Sequence, residues 1–322
     1  MENRKKYLNL LKPNSFNFLP LGSIKPLGWL RKQLQIQADG LTGHIDEFWE
    51  DLGPNNKWLG GDKEGWERGP YYADGLVPLA YLLDDEKLKN KVRIWIDAFL
   101  DSQDENGWIG PKESAEKRYE KYDPWPVFVV LKVLTQYYEI SSDKRVIEVM
   151  NNFFRYLKKD LKKRPLFSWG KFRWSELVLS IHWLYEQTEE NWLLKLAEIV
   201  SKQGYNWQKH FTDFEYTKKS TETKLENHIV NNAIGIKTSA VWFRQSGKNC
   251  DRDVVYYALK NLDKFHGQVT GVFSGDELLA GKNPSQGTEL CAVVEYMFSL
   301  EILISILGDP KFADRLEMIT FN

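Results

Sequence analysis

Along most of this chain, apolar positions recur at the i, i+3, i+4, i+7 spacing of a helix with one buried face. The strongest runs are 72–83, 125–138, 174–185, 234–244 and 290–307, each apolar most of the way round. Helices of that kind are buried, whereas those with a charged face lie outside. A short polar turn closes each run, and more charged amphipathic runs follow the first four, at 87–100, 145–158, 192–202 and 251–264. The turn residues Asp84, Ser142, Glu189, Lys248 and Asp309 recur at intervals of 58, 47, 59 and 61 residues. An apolar helix, a tight turn and an amphipathic helix, repeated this way, mark a helical-repeat architecture.

With a further helix at 29–38, the pattern predicts six hairpins closing into an all-α (α/α)6 toroid, inner helices ringed by outer ones. An open solenoid is the competing arrangement. Residues 1–28 read as an extended lead-in, because 13–28 hold three prolines and two glycines. No boundary interrupts the rhythm, so a single domain over 1–322 is expected. Loops entering the inner helices are long and aromatic, while those leaving them are short. That asymmetry gathers the candidate site residues at one mouth of the ring.

Composition narrows the function. Lys and Arg number 44 against 45 Asp and Glu, a net charge of -1, which implies no nucleic-acid partner. Two cysteines in 322 residues exclude a disulfide scaffold and fit a reducing compartment. No apolar leader follows the charged N-terminus and no uninterrupted apolar stretch suggests a membrane partner, so a soluble cytoplasmic protein is expected. The oligomeric state is left open, homo-oligomer included. Several of the 13 tryptophans stand beside glycine and charge in loops, as sugar-binding platforms do, although core packing explains aromatics equally well.

Candidate chemistry concentrates in 271–300. A glycine-rich loop carries Asp276 and Glu277, and an apolar helix then opens with Glu289 and Cys291 in its first turn. Two carboxylates facing one pocket are the least apparatus for glycoside hydrolysis, one as acid and one as base or nucleophile. Solvated loop carboxylates are the plainer reading. Glu289 and Cys291 have donor atoms that suit zinc, but two ligands do not make a site, and a buried core thiol is the alternative. His228, ahead of an inner helix, and His266, ahead of the Gly271 loop, are pocket candidates, whereas His182 reads as a core histidine. Trp66, Glu67, Arg68 and Asp74 lie just before or within the start of one inner helix, and Trp125 opens the next. They fit a sugar pocket or a set of structural pairs.

The segments Leu19-Pro-Leu-Gly-Ser, Trp66-Glu-Arg-Gly-Pro-Tyr-Tyr, Asp123-Pro-Trp-Pro, Phe273-Ser-Gly-Asp-Glu and Gln286-Gly-Thr-Glu-Leu-Cys-Ala-Val-Val-Glu-Tyr-Met-Phe resemble the β-L-arabinofuranosidase-like glycoside hydrolases of family 127. They resemble still more closely the wider group that shares that catalytic domain. The resemblance implies an (α/α)6 barrel, a glycoside or oligosaccharide substrate with a terminal β-L-arabinofuranose, and a retaining mechanism with a zinc-bound cysteine as nucleophile. It implies Glu277 as acid/base, Glu289 and Cys291 as zinc ligands, and Trp66, Glu67, Arg68, Asp74, Trp125, His228 and Asp276 as pocket lining. The family's nucleophile and a neighbouring zinc cysteine lie downstream of the Glu-x-Cys pair and have no counterpart before Asn322. The chain is therefore expected to be a fragment or a shortened member, without the family's C-terminal β-sandwich. Alternatives on the same architecture are a metal-independent enzyme, such as an unsaturated-uronyl hydrolase or a sugar epimerase, and a non-catalytic carbohydrate-binding toroid.

Overall fold

The computed structural model describes residues 11–112, 114 and 122–322. The first ten residues of the expected lead-in lie outside the described residues; its remainder up to Leu27 forms no helix. Helical hairpins dominate, and their turns share one local design. The inner helices Arg68–Leu83, Trp125–Ser141, Trp174–Thr188, Ile229–Ser246 and Leu290–Leu307 end on Asp84, Ser142, Glu189, Gly247 and Gly308, all at positive φ. A left-handed residue ends a helix by letting its N–H reach back to an orphan carbonyl. In three turns an aspartate follows at once and caps the next helix: Asp85 for Glu86–Asp101, Asp143 for Lys144–Asp160 and Asp309 for Pro310–Phe321. Its carboxylate accepts from backbone N–H groups of the new first turn.

The residues group into two compact units by backbone contacts. One comprises Leu19–Leu166 and Ser180–Ile199. In it Arg68–Leu83 packs against both Trp125–Ser141 and Glu86–Asp101. Val92, Ile96 and Phe99 of the outer helix are buried, as are Leu76 and Val77 of the inner one. The aromatic stretch before Arg68 forms short helical turns rather than a free loop, and Trp58 within it is buried edge-on to Phe99, 5.3 Å between ring centres.

The other unit comprises 11–18, Phe167–Leu179 and Val200–Asn322. Its centre is the pair Ile229–Ser246 and Leu290–Leu307, flanked by the outer helices Asn249–His266 and Pro310–Phe321. Gly235 lets Trp207 approach, since a Cβ there would lie 2.7 Å from the indole. Lys12 N–H donates to the Arg244 carbonyl and Phe16 N–H to that of Ser305, so the described lead-in seals the outgoing ends of both inner helices. Among the described residues, Leu290–Leu307 is the one helix long and apolar enough to cross a membrane (mean hydropathy 2.0), a property the sequence reading did not assign it. Half of it is buried, Glu295 and Ser299 included, which is the pattern of a core helix.

Candidate active site

Two inner helices of this second unit begin side by side, and each has an unusual first residue. His228 caps Ile229–Ser246: its Nδ1 accepts from Asn231 N–H at 3.4 Å. With Nδ1 accepting, the neutral ring carries its proton on Nε2, which lies 3.2 Å from Glu277 Oε2. Glu289 precedes Leu290–Leu307, yet its carboxylate makes no capping bond. Instead, one of its oxygens is buried without a hydrogen-bond partner. Donor atoms of His228, Glu277 and Glu289 all lie within 4.8 Å of one another.

The loop between them is folded to hold this arrangement. Gly275–Asp276 and Leu278–Leu279 form a minimal antiparallel hairpin with Glu277 at its tip. Ile229 N–H donates to the Glu277 carbonyl at 2.9 Å and Leu279 N–H to that of Asn227 at 3.0 Å, which pins the hairpin to the His228 segment. On the other side Gly275 N–H donates to the Gly287 carbonyl at 3.0 Å, and Glu289 N–H to that of Gly275 at 2.9 Å. Glu277 adopts φ +68°. That conformation costs a non-glycine residue on the order of 1 kcal/mol and is held only where the surroundings impose it. Its side chain is exposed, whereas His228 is buried.

His266, a pocket candidate in the sequence, is instead a buried support for this loop. Gly281 N–H donates to its Nδ1 at 2.8 Å and its Nε2–H donates to the Tyr216 carbonyl. Its position before a glycine suggested a mouth, but both ring nitrogens are already satisfied by backbone.

Residues missed by sequence reasoning complete the surroundings. Trp169 meets the His228 ring edge-on, 5.0 Å between centres, and the Arg173 guanidinium lies 4.6 Å above the Trp169 ring. Arg173 is buried and donates through Nε to Asn231 Oδ1 at 2.8 Å. Burial, then the Arg173 charge, pushes the His228 imidazole down to about 4, against the pull of Glu277. It is therefore neutral at pH 7. Ser168-Trp-Gly had stood out as an aromatic beside glycine, but nothing in the sequence tied it to His228.

Asp276 is exposed beside Glu277. Cys291 is exposed in the first turn after Glu289 and is not among the three residues whose donors converge. In the first unit the predicted lining residues are largely engaged with protein. Trp125 Nε1–H donates to Glu67 at 2.7 Å, Arg68 pairs with Asp51 and stacks 5.1 Å above Trp49, and Trp66 meets Tyr122 edge-on. Asp74 takes Lys132 at 2.8 Å and Gln136 at 2.6 Å.

The sequence model of the β-L-arabinofuranosidase GH127 catalytic domain matches residues 39–322. No curated protein sequence matches the chain. A GH127 β-L-arabinofuranosidase from Geobacillus stearothermophilus superposes with a TM-score of 0.68 at 15% identity, covering 93% of this chain and 55% of its own. Another GH127 β-arabinofuranosidase gives 0.68 at 14%, covering 98% and 55%. An unsaturated glucuronyl hydrolase from Streptococcus agalactiae gives 0.59 at 13%, covering 96% and 84%. The fold is that of the (α/α)6 toroids, as the hairpin repeat predicts. The chain spans about half the length of the GH127 structures it matches. It belongs to the β-L-arabinofuranosidase GH127 catalytic-domain family.

Proposed function

We propose that this chain supplies the active site of a retaining glycoside hydrolase that releases a terminal β-L-arabinofuranose from a glycan or glycoside. The observation that carries the reading is the approach of Glu277 and Glu289, whose donor atoms lie within 4.8 Å. That approach sets an acid/base carboxylate beside a residue that would hold a zinc ion, the place where this reading needs a metal-held thiolate nucleophile. Glu277, exposed at its hairpin tip, protonates the departing oxygen as a nucleophile takes the anomeric carbon, and then accepts a proton from the water that displaces that nucleophile. Neutral His228 donates Nε2–H to Glu277 and fixes the carboxylate's direction. Trp169 and Arg173 hold the imidazole in turn.

Glu289 also suits a zinc ion: one of its oxygens is buried without a partner, and carboxylate oxygen is a normal zinc donor. Glu289 would hold the ion, with Cys291, two residues on at the exposed helix start, as a second ligand. When bound, zinc would keep a coordinating thiolate ionised at neutral pH. The test is Glu277→Gln, assayed on 4-nitrophenyl glycosides. Its kcat should fall by about 10²–10⁴ while binding is retained. Unchanged turnover by that variant, or no turnover of any pentofuranoside by the wild-type protein extended past Asn322, refutes the assignment. Cys291→Ser separates a metal-independent enzyme, which would keep full activity, from the zinc reading.

A further inference from the structure

Immediately beyond the Glu277 hairpin, an open pocket of about 470 Å³ is lined by Lys218, Lys219, Lys264 and Lys282, with no acidic side chain in its wall. Lys219 Nζ donates to Gln286 Oε1 at 2.8 Å, and the Lys264 ammonium stands 4.7 Å from the Phe265 ring centre. No described carboxylate pairs with any of the four. Other lysines do have acidic partners: Lys89 pairs with Asp84 and Glu86, Lys91 with Asp46 and Glu47, and Lys132 with Asp74. In a chain of net charge -1, four lysines facing one cavity without counter-charge form a local positive field that an anion would relieve.

The pocket is also well founded. Its Gly281 is at φ +82°, with its N–H held by buried His266 and its carbonyl by the Ser274 hydroxyl. Ser220 N–H donates to the Leu279 carbonyl at 2.8 Å, which ties the Lys218–Lys219 segment to the strand that leaves Glu277. Gly281 is the fourth residue after Glu277, so the two are at most about 14 Å apart, within reach of one short oligosaccharide.

We propose that this pocket is an anion subsite for an acidic glycan. It receives a carboxylate or sulfate on a sugar of the same chain whose terminal glycosidic bond meets Glu277. The proposal rests on the hydrolase reading of the Glu277 site and adds the chemical class of the substrate. Charge attraction here is long-ranged and screened by salt, so it favours anionic chains over neutral ones of equal length.

The test is calorimetric titration of the whole protein with three tetrasaccharides: oligogalacturonate, a sulfated galactan of equal length, and neutral galactan. At least one acidic tetramer should bind about tenfold tighter than the neutral one, and which of the two does so identifies the group. The advantage should vanish as salt rises from about 0.05 to 0.5 M. Lys218→Gln/Lys219→Gln and Lys264→Gln/Lys282→Gln should each lose about tenfold in acidic binding, while turnover of a small neutral nitrophenyl pentofuranoside stays unchanged. Equal affinity for acidic and neutral tetramers, or lysine variants that bind as the wild type does, overturns the subsite and leaves the hydrolase reading intact. Lysine-dependent binding of an acidic tetramer without turnover of any glycoside upholds the subsite and removes the hydrolase.

Discussion

Lys237 is completely buried in the middle of Ile229–Ser246, an unusual place for an ammonium. It pairs with Glu176, only 7% exposed, donates to Ser299 Oγ at 3.2 Å and lies 4.9 Å from the Phe298 ring centre. Ser299 Oγ–H donates in turn to the Ala233 carbonyl at 2.7 Å, so the ammonium helps to join two inner helices. The desolvation of two charges consumes most of their attraction, and replacing such a pair with apolar residues is commonly neutral or stabilising by about 1–4 kcal/mol. Breaking it from one side is different, because the remaining charge stays buried. Lys237→Met keeps the length of the stem and therefore little packing is lost. Its cost, about 3–5 kcal/mol, is that of taking the ammonium away from a buried carboxylate. Glu176→Leu should cost about as much by stranding the ammonium, and the double variant should recover at least about 3 kcal/mol of either loss. Urea unfolding followed by tryptophan fluorescence reads all four corners of the cycle. Singles within about 1 kcal/mol of the wild type, or a double variant as unstable as the sum of both singles, would refute the description of this pair.

Three further outcomes follow from single sites. His210 donates Nε2–H to Asn232 Oδ1 at 3.0 Å and accepts from Tyr205, and burial pushes it down to about 4. It stays neutral in the fold, while the unfolded chain takes up a proton below about 6.5, so its contribution is complete above that pH and lost as pH falls toward 4. That loss amounts to at most about 3 kcal/mol, and His210→Gln should flatten the corresponding slope of stability against pH between about 6.5 and 4. Gly275→Ala would set a Cβ 2.6 Å from both Ile229 Cδ1 and the Leu278 carbonyl, so thermal unfolding should show a loss of about 1–3 kcal/mol together with reduced turnover. Gly287→Ala, with nothing within 4 Å, is the silent control. Zinc added to the metal-free protein should raise its melting temperature, and Glu289→Gln should abolish that rise; an equal rise in the variant would discard Glu289 as a ligand.

The hairpin repeat was legible because each turn is encoded within a few residues. Asp84, Ser142 and Glu189 take the left-handed position after an inner helix, and the next residue in two of those turns is the aspartate that starts the outer one. A reader of spacings sees such signals without knowing what packs on what. The acidic loop and the Glu289 helix start were visible for the same reason, since Asp276 to Cys291 is one short stretch. Charges beside aromatics before Arg68–Leu83 were ambiguous on principle. Glu67 and Asp74 would look the same in sequence whether they awaited a ligand or, as found, accepted from Trp125, Lys132 and Gln136.

What spacing cannot record is the meeting of distant segments, and His228 with Glu277 is such a meeting. It is made by the isolated pairings His228↔Leu278 and Gly275↔Thr288, which bind one hairpin between two helix starts. Yet the repeat itself contains part of that information. Ile229–Ser246 and Leu290–Leu307 are successive inner helices joined through an outer one, so they run the same way and begin at the same end. Positions that precede inner helices are therefore neighbours by construction, and in most turns they would be filled by serine, threonine, aspartate or asparagine. His228 caps its helix through Nδ1 while its Nε2 reaches Glu277, and Glu289 makes no capping bond at all. Glu67 and Pro124 also precede their inner helices without a capping bond, so it is the meeting of His228 with the Glu277 hairpin, rather than a missing cap, that marks the site.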